Sequence, residues 1–229
     1  MRQASKLLAF AVATGLTAMP MLGTAAVTFV AAEDDSIFGG LTSLPFATTG
    51  STPNCGPYLS CSGDYEFRTG SILNHTKAPG SDTGPHTPDS IFLTVPNSRV
   101  LPAQATFDFG VTTNSFGMLW GSVDSYNLFE LLLGGVVVGS VTGTDLANSV
   151  GVTATTNSGN FDIDRFVRFD GVGSTEFDAI RFHTTNFGFE TEAHHVGPAS
   201  SVPGPMPMAL LALGVFGIGL FGKRRGSPG

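Results

Sequence analysis

Hydrophobic positions fall into two unlike patterns along this chain. Between residues 27 and 199 they form short runs divided by Gly, Asn, Asp, Ser and Pro, with almost no helical period. Nine runs read as strands: 65–73, 91–95, 104–109, 116–123, 126–133, 136–142, 161–169, 177–183 and 187–192. In the fourth, Phe116, Met118 and Trp120 alternate with Gly117, Leu119 and Gly121. Period two sends the three large side chains to one face, which reads as a core face. Gly134-Gly135, between two apolar runs, reads as a tight hairpin turn. Residues 144–149 fit one helical turn capped by Thr144. The expected fold is all-β, an antiparallel β-sandwich of jelly-roll type. The stretch 48–89 is rich in Ser, Thr, Gly and Pro and is expected to be mostly loop.

At the two ends the hydrophobic residues are continuous instead. Arg2 and Lys6 precede an apolar segment from Leu7 to Ala18, followed by Pro20 and the small residues Gly23-Thr24-Ala25-Ala26. That order is the pattern of a secretory signal helix, residues 1–26, cut by signal peptidase after Ala25 or Ala26, with Ala32 a weaker option. At the far end, 200–229, a proline-stiffened segment leads into Met206 to Gly222, which carries no charge, and Lys223-Arg224-Arg225 closes it. Seventeen helical residues reach about 25 Å, marginal for a hydrocarbon core of ~30 Å. The basic cluster is expected on the cytoplasmic side, which puts the central domain, 27–199, on the export side.

Val202-Pro203-Gly204-Pro205, a short membrane helix at 206–222, and Lys223, Arg224 and Arg225 together resemble the PEP-CTERM sorting signal of exported bacterial proteins. In that family a Val-Pro-Glu-Pro motif is recognised by an exosortase, which removes the helix; here glycine stands in place of the glutamate. The resemblance implies an exosortase and the export machinery as partners, transient anchoring in the inner membrane, and a final location at the cell surface or outside the cell. A second resemblance lies at Trp120-Gly121-Ser122-Val123-Asp124-Ser125-Tyr126-Asn127, which is similar to a stretch in exosortase-dependent surface proteins. There too a Phe-rich strand precedes it, as Phe107 and Phe109 do here, and a Gly-Thr-Asp turn follows, as at Gly143-Thr144-Asp145. The closing strand pair, Phe177-Asp178-Ala179-Ile180-Arg181-Phe182 and Phe187-Gly188-Phe189-Glu190, fits the same family. Its usual Asp-Asn step is replaced by Thr191-Glu192-Ala193-His194. This family implies a location rather than an activity.

Charge sharpens this reading. Five of the 11 basic residues belong to the two ends, which leaves the middle six against all 18 acidic residues, a net charge of −12. Such a domain is soluble and attracts cations, and it lacks the basic stripe of a nucleic-acid binder. The 19 phenylalanines argue against disorder.

Candidate chemistry is sparse. Cys55 and Cys61, the only cysteines, are expected to form a disulfide in an exported protein. No cofactor motif is present, and calcium is the one ion the carboxylates suggest. Asp162 and Asp164 share a strand face and Asp170 lies nearby, although no EF-hand loop is present. Trp120 with Tyr126 could form a stacking platform for a polysaccharide, against a core reading for Trp120. Tyr58 and Tyr65, beside the Pro-rich stretch, are expected to be exposed. His194-His195 would point apart on a strand and cannot chelate together. No nucleophile elbow is present, and the pair Asp108 and Glu130 is the thin basis for a hydrolase. The expected role is therefore structural or adhesive and non-catalytic. A secreted lectin-like sandwich, calcium-supported, is the alternative, and a secreted hydrolase the third.

Overall fold

Short runs of β-branched and aromatic residues cannot close their own backbone hydrogen bonds, so they pair with one another. The computed structural model describes residues 27–51, 53–69, 91–98, 100–121, 123–154 and 164–199. The signal segment 1–26, the tail 200–229 with its motif at 202–205 and basic cluster at 223–225, and Asp162 lie outside the described residues. Among the described residues no helix is long and apolar enough to cross a membrane.

Thirteen strands are described. They are β1 (Val27–Ala32), β2 (Thr42–Ser43), β3 (Gly50–Ser51), β4 (Ser60–Gly63), β5 (Glu66–Thr69), β6 (Ile91–Val95), β7 (Ala103–Thr113), β8 (Ser115–Gly121), β9 (Asn127–Leu133), β10 (Val136–Thr142), β11 (Arg165–Gly171), β12 (Phe177–Thr184) and β13 (Phe189–Val196). One sheet runs β1-β11-β8-β13-β6-β5-β3, with β2 added to β13. The other runs β10-β9-β12-β7-β4. All the pairings are antiparallel. The molecule is an antiparallel β-sandwich.

The core between the sheets is aromatic. Phe129 of β9 stacks on Phe169 of β11 at 4.4 Å and on Phe116 of β8 at 5.7 Å, bridging the two sheets. Phe116, Met118 and Trp120 all face inward, in the phase their spacing predicts. The hairpin between β9 and β10 turns on Gly134 (φ 56°) and Gly135 (φ 81°), the left-handed pair that a two-residue turn requires. The helix, α1 (Gly143–Ser149), starts one step earlier than expected. Thr142, not Thr144, is its cap, and it forms a reciprocal capping box with Asp145.

Two local features depart from the sequence pattern. The Ser/Gly/Pro-rich stretch contains β3 and β4, which are too short for periodicity to reveal, and β5, which falls within the expected run 65–73. In β13, register breaks between Glu192 and His195, and Ala193 takes φ 50°. This bulge inserts one residue and flips the alternation. Thr191, opposite Trp120, faces the core; beyond the bulge His194 faces the core instead of Ala193, which packs outside with Phe38, Leu119 and Phe166.

Candidate functional site

The disulfide anchors one corner. Cys55 and Cys61 are bonded, their Cα atoms 5.4 Å apart, and β4 then pairs with β7 from Ser60 to Gly63. The loop they close carries Tyr58 inward. Tyr58 and Tyr65 are both buried, contrary to expectation, because the clamp folds the segment back onto Phe107. The Tyr58 hydroxyl meets Nδ1 of His194, and Nε2 of His194 lies 2.8 Å from the Thr191 hydroxyl. The consistent assignment has Tyr58 donating to Nδ1 and the imidazole proton on Nε2 donating to Thr191. Phe46, Phe116 and Phe182 surround the ring. Burial, with a smaller contribution from neighbouring His195, lowers the His194 pKa to about 3. Burial likewise pushes the Tyr58 hydroxyl up.

Trp120 is 0% exposed and stacks on Phe189 at 4.6 Å. Tyr126 is half-buried; its hydroxyl lies 2.9 Å from Asp124 Oδ2 and 2.7 Å from the Phe187 carbonyl, and its one proton serves either acceptor. Trp120, Tyr58 and Tyr65 are buried and offer no free face for stacking on a sugar, whereas Tyr126 is half-buried.

Asp164 and Asp170 flank β11 at opposite ends, about 20 Å apart by strand rise, so they do not share an ion. Asp170 is committed to Arg168 at 2.9 Å and to the Ser115 hydroxyl at 2.6 Å. Asp164 joins a different group. Across the first sheet, Thr94 of β6 is paired with Glu190 of β13, and Glu190 with Gly121 of β8. Asp164 lies one step beyond the Arg165–Trp120 pair, beside Gly121. The row Thr94–Glu190–Gly121–Asp164 therefore lies on one sheet face. Glu190 is 2% exposed, and its pKa is raised by burial, then by the negative charges of Asp124 and Asp164. Its Oε1 and the Thr94 hydroxyl have no hydrogen-bond partner. The buried Asp124 is held in place by α1: a Cβ on Gly143 would lie 2.0 Å from the Asp124 carbonyl oxygen, so only glycine allows this approach. The sequence did not single out Glu190 or Thr94. Alternation puts both on the outer face of the sheet, but nothing in the pattern says that this part of the outer face is buried.

On the outer face of the second sheet, an open groove of about 310 Å³ is lined by Ser60, Ser62, Thr106, Asp108 and Asp178, with Gly134 and Gly135 at its end. Glu130 is outside this lining; it is ion-paired to Arg181 at 2.5 Å. Asp108 accepts the Gly110 amide at 2.6 Å. Two strand spacings separate Asp108 on β7 from Glu130 on β9, with β12 between them. Each of the two carboxylates that suggested a hydrolase is thus tied to a partner of its own.

No family model matches the chain, and no characterised protein matches it in sequence. Among solved structures it is similar to CpGH89CBM32-6 produced by Clostridium perfringens, with 11% identity and a TM-score of 0.29, covering 60% of this chain and 94% of that one. It is also similar to GH31 CBM32-2 bound to GalNAc, with 13% identity and a TM-score of 0.27, covering 76% and 99%. Both overlaps are loose, and the GalNAc is a property of that module.

Proposed function

We propose that the chain is an exported, non-catalytic β-sandwich module of the cell surface or extracellular matrix, processed by an exosortase at Val202-Pro203-Gly204-Pro205. The structural observation that supports this reading is the Cys55–Cys61 disulfide, a bond characteristic of oxidising compartments. It agrees with the signal-like start, the three-part tail and the acidic middle. Signal peptidase and the export machinery act first, the tail then holds the domain at the inner membrane, and cleavage releases or transfers it. Mass spectrometry of the mature protein from the exporting cell tests this. Loss of 206–229 is expected, and an intact tail on every surface copy would leave a plain membrane anchor instead.

The groove on the second sheet favours a second reading, a lectin-like module for polysaccharide. Hydroxyls and carboxylates bind sugar hydroxyls by hydrogen bonds without a stacking ring. Glycan-array binding that disappears in Asp108→Asn and Asp178→Asn would support it, whereas binding unchanged by both would remove the groove from consideration.

A further inference from the structure

A buried carboxylate needs a counter-charge or a proton. Among the described residues no cation pairs with Glu190, Asp124 and Asp164 bear on it with the same sign, and its Oε1 has no partner. Protonation would remove the charge and would still leave Oε1 without a partner. The Thr94 hydroxyl is fully buried and equally unpartnered. Register makes Thr94 and Glu190 direct cross-strand neighbours, with Cβ atoms roughly 5 Å apart, yet the two oxygens do not bond each other. Two buried oxygens on one face that do not bond each other can be joined by an ion, since calcium stands about 2.4 Å from each of its ligands.

On the other side of Glu190 stands Gly121, which contributes no side chain, and beyond it Asp164, about two strand spacings or roughly 10 Å away at the backbone. We infer that the buried row beside Gly121 is a calcium site in which Glu190 and Thr94 supply oxygens from the sheet and Asp124 closes it from the β8–β9 loop. Among the described residues no three His, Cys, Asp or Glu side chains converge on one point. The shell is accordingly a mixed one, with the Thr94 hydroxyl and water completing what the carboxylates begin. An all-oxygen donor set without thiol or imidazole selects a hard cation over zinc or copper. The ion lies at a different place from the one the Asp162, Asp164 and Asp170 spacing suggested, and the inference does not depend on the sorting reading.

The test uses the full chain in detergent, stripped with chelator and titrated with calcium chloride at neutral pH. Thermal melting and isothermal titration are the readouts. A saturable rise in Tm with one site per chain is expected, and Glu190→Gln should weaken the affinity by on the order of tenfold or more. Asp170→Asn, far along β11 and tied to Arg168, should bind like the parent. Should Glu190→Gln fail to fold, Thr94→Val replaces it, since it removes one oxygen at nearly constant volume, and its calcium response should be weaker. No calcium-dependent shift in the parent would overturn the site and leave water or a proton at Glu190. An undiminished response in Glu190→Gln or Thr94→Val would overturn it as well.

Discussion

A single inserted residue decides the character of His194. Without the bulge at Ala193, strand alternation would carry the imidazole to the outer face, where His195 now packs on Phe38 at 4.5 Å. With it, His194 sits neutral among aromatic rings and stability depends on acid. Its folded-state pKa, about 3, is below its unfolded value of 6.5. The stabilisation is therefore fully present above pH 6.5 and is lost as pH falls from 6.5 toward 3, at up to about 1.4 kcal/mol per pH unit. Denaturant melts at pH 7, 5.5 and 4 should show this slope, and His194→Gln, which can still accept from Tyr58 and donate to Thr191, should flatten it. Trp120 is the opposite case, legible from sequence because nothing interrupts the alternation of Phe116, Met118 and Trp120. Its truncation to Ala should cost about 3–5 kcal/mol, read as a fall in melting midpoint rather than as a selective loss of sugar binding. The burial of Tyr58 and Tyr65 was not legible, because their neighbours are Ser, Gly and Pro and the force that buries them is a covalent clamp. Cys55→Ser should destabilise by ~2–3 kcal/mol on loop entropy, with Tyr58 fluorescence shifting as the ring reaches water.

At the scale of elements, β5 to β13 fall in or beside expected runs, whereas β1 and the short strands β2, β3 and β4 were not read. β6 and β10 match their expected bounds, and the Gly134-Gly135 turn takes the backbone that its sequence requires. β2 and β3 are two residues each, and no period can be seen in two residues. The helix illustrates a subtler limit. Thr142 and Thr144 are both acceptable caps by type, and only Asp145 decides between them, since it lies three residues after Thr142 and completes the box. Thr142→Ala should thus cost about 1 kcal/mol, measurable by chemical denaturation, while Thr144→Ala should cost little. Gly143→Ala tests a different function of the same turn. Its Cβ would collide with backbone at the Asp124 carbonyl, which has no side-chain freedom with which to yield. A cost of about 1–3 kcal/mol is expected, and the displaced β8–β9 loop would take Asp124 away from Glu190, so calcium response and stability should fall together.

At the scale of the whole molecule, the fold bears on a processing question that sequence left open. Cleavage after Ala25, Ala26 or Ala32 all satisfy the small-residue rule. Residues 27–32, however, are β1, which pairs residue by residue with β11 from Val27–Gly171 to Ala32–Phe166 and forms one edge of the larger sheet. Val27, Phe29 and Ala31 pack against the core, with the Phe29 and Phe169 rings 6.3 Å apart. Cutting after Ala32 would remove all of this, and each partly buried apolar side chain withdrawn would cost a fraction of the roughly 1.5–3 kcal/mol of a fully buried one. It would also expose the backbone of β11 as a new, unprotected edge. Arg165 would remain paired with Glu33, at 3.0 Å, but with no strand left to position that residue. Cleavage after Ala25 or Ala26 leaves β1 whole and begins the mature chain at the sheet edge. N-terminal sequencing of the exported protein should therefore read Ala26 or Val27 as the first residue. A chain engineered to begin at Glu33 should melt at a lower temperature and aggregate, as the exposed edge of β11 pairs with other copies; equal stability of the two forms would show that β1 is dispensable to the sandwich.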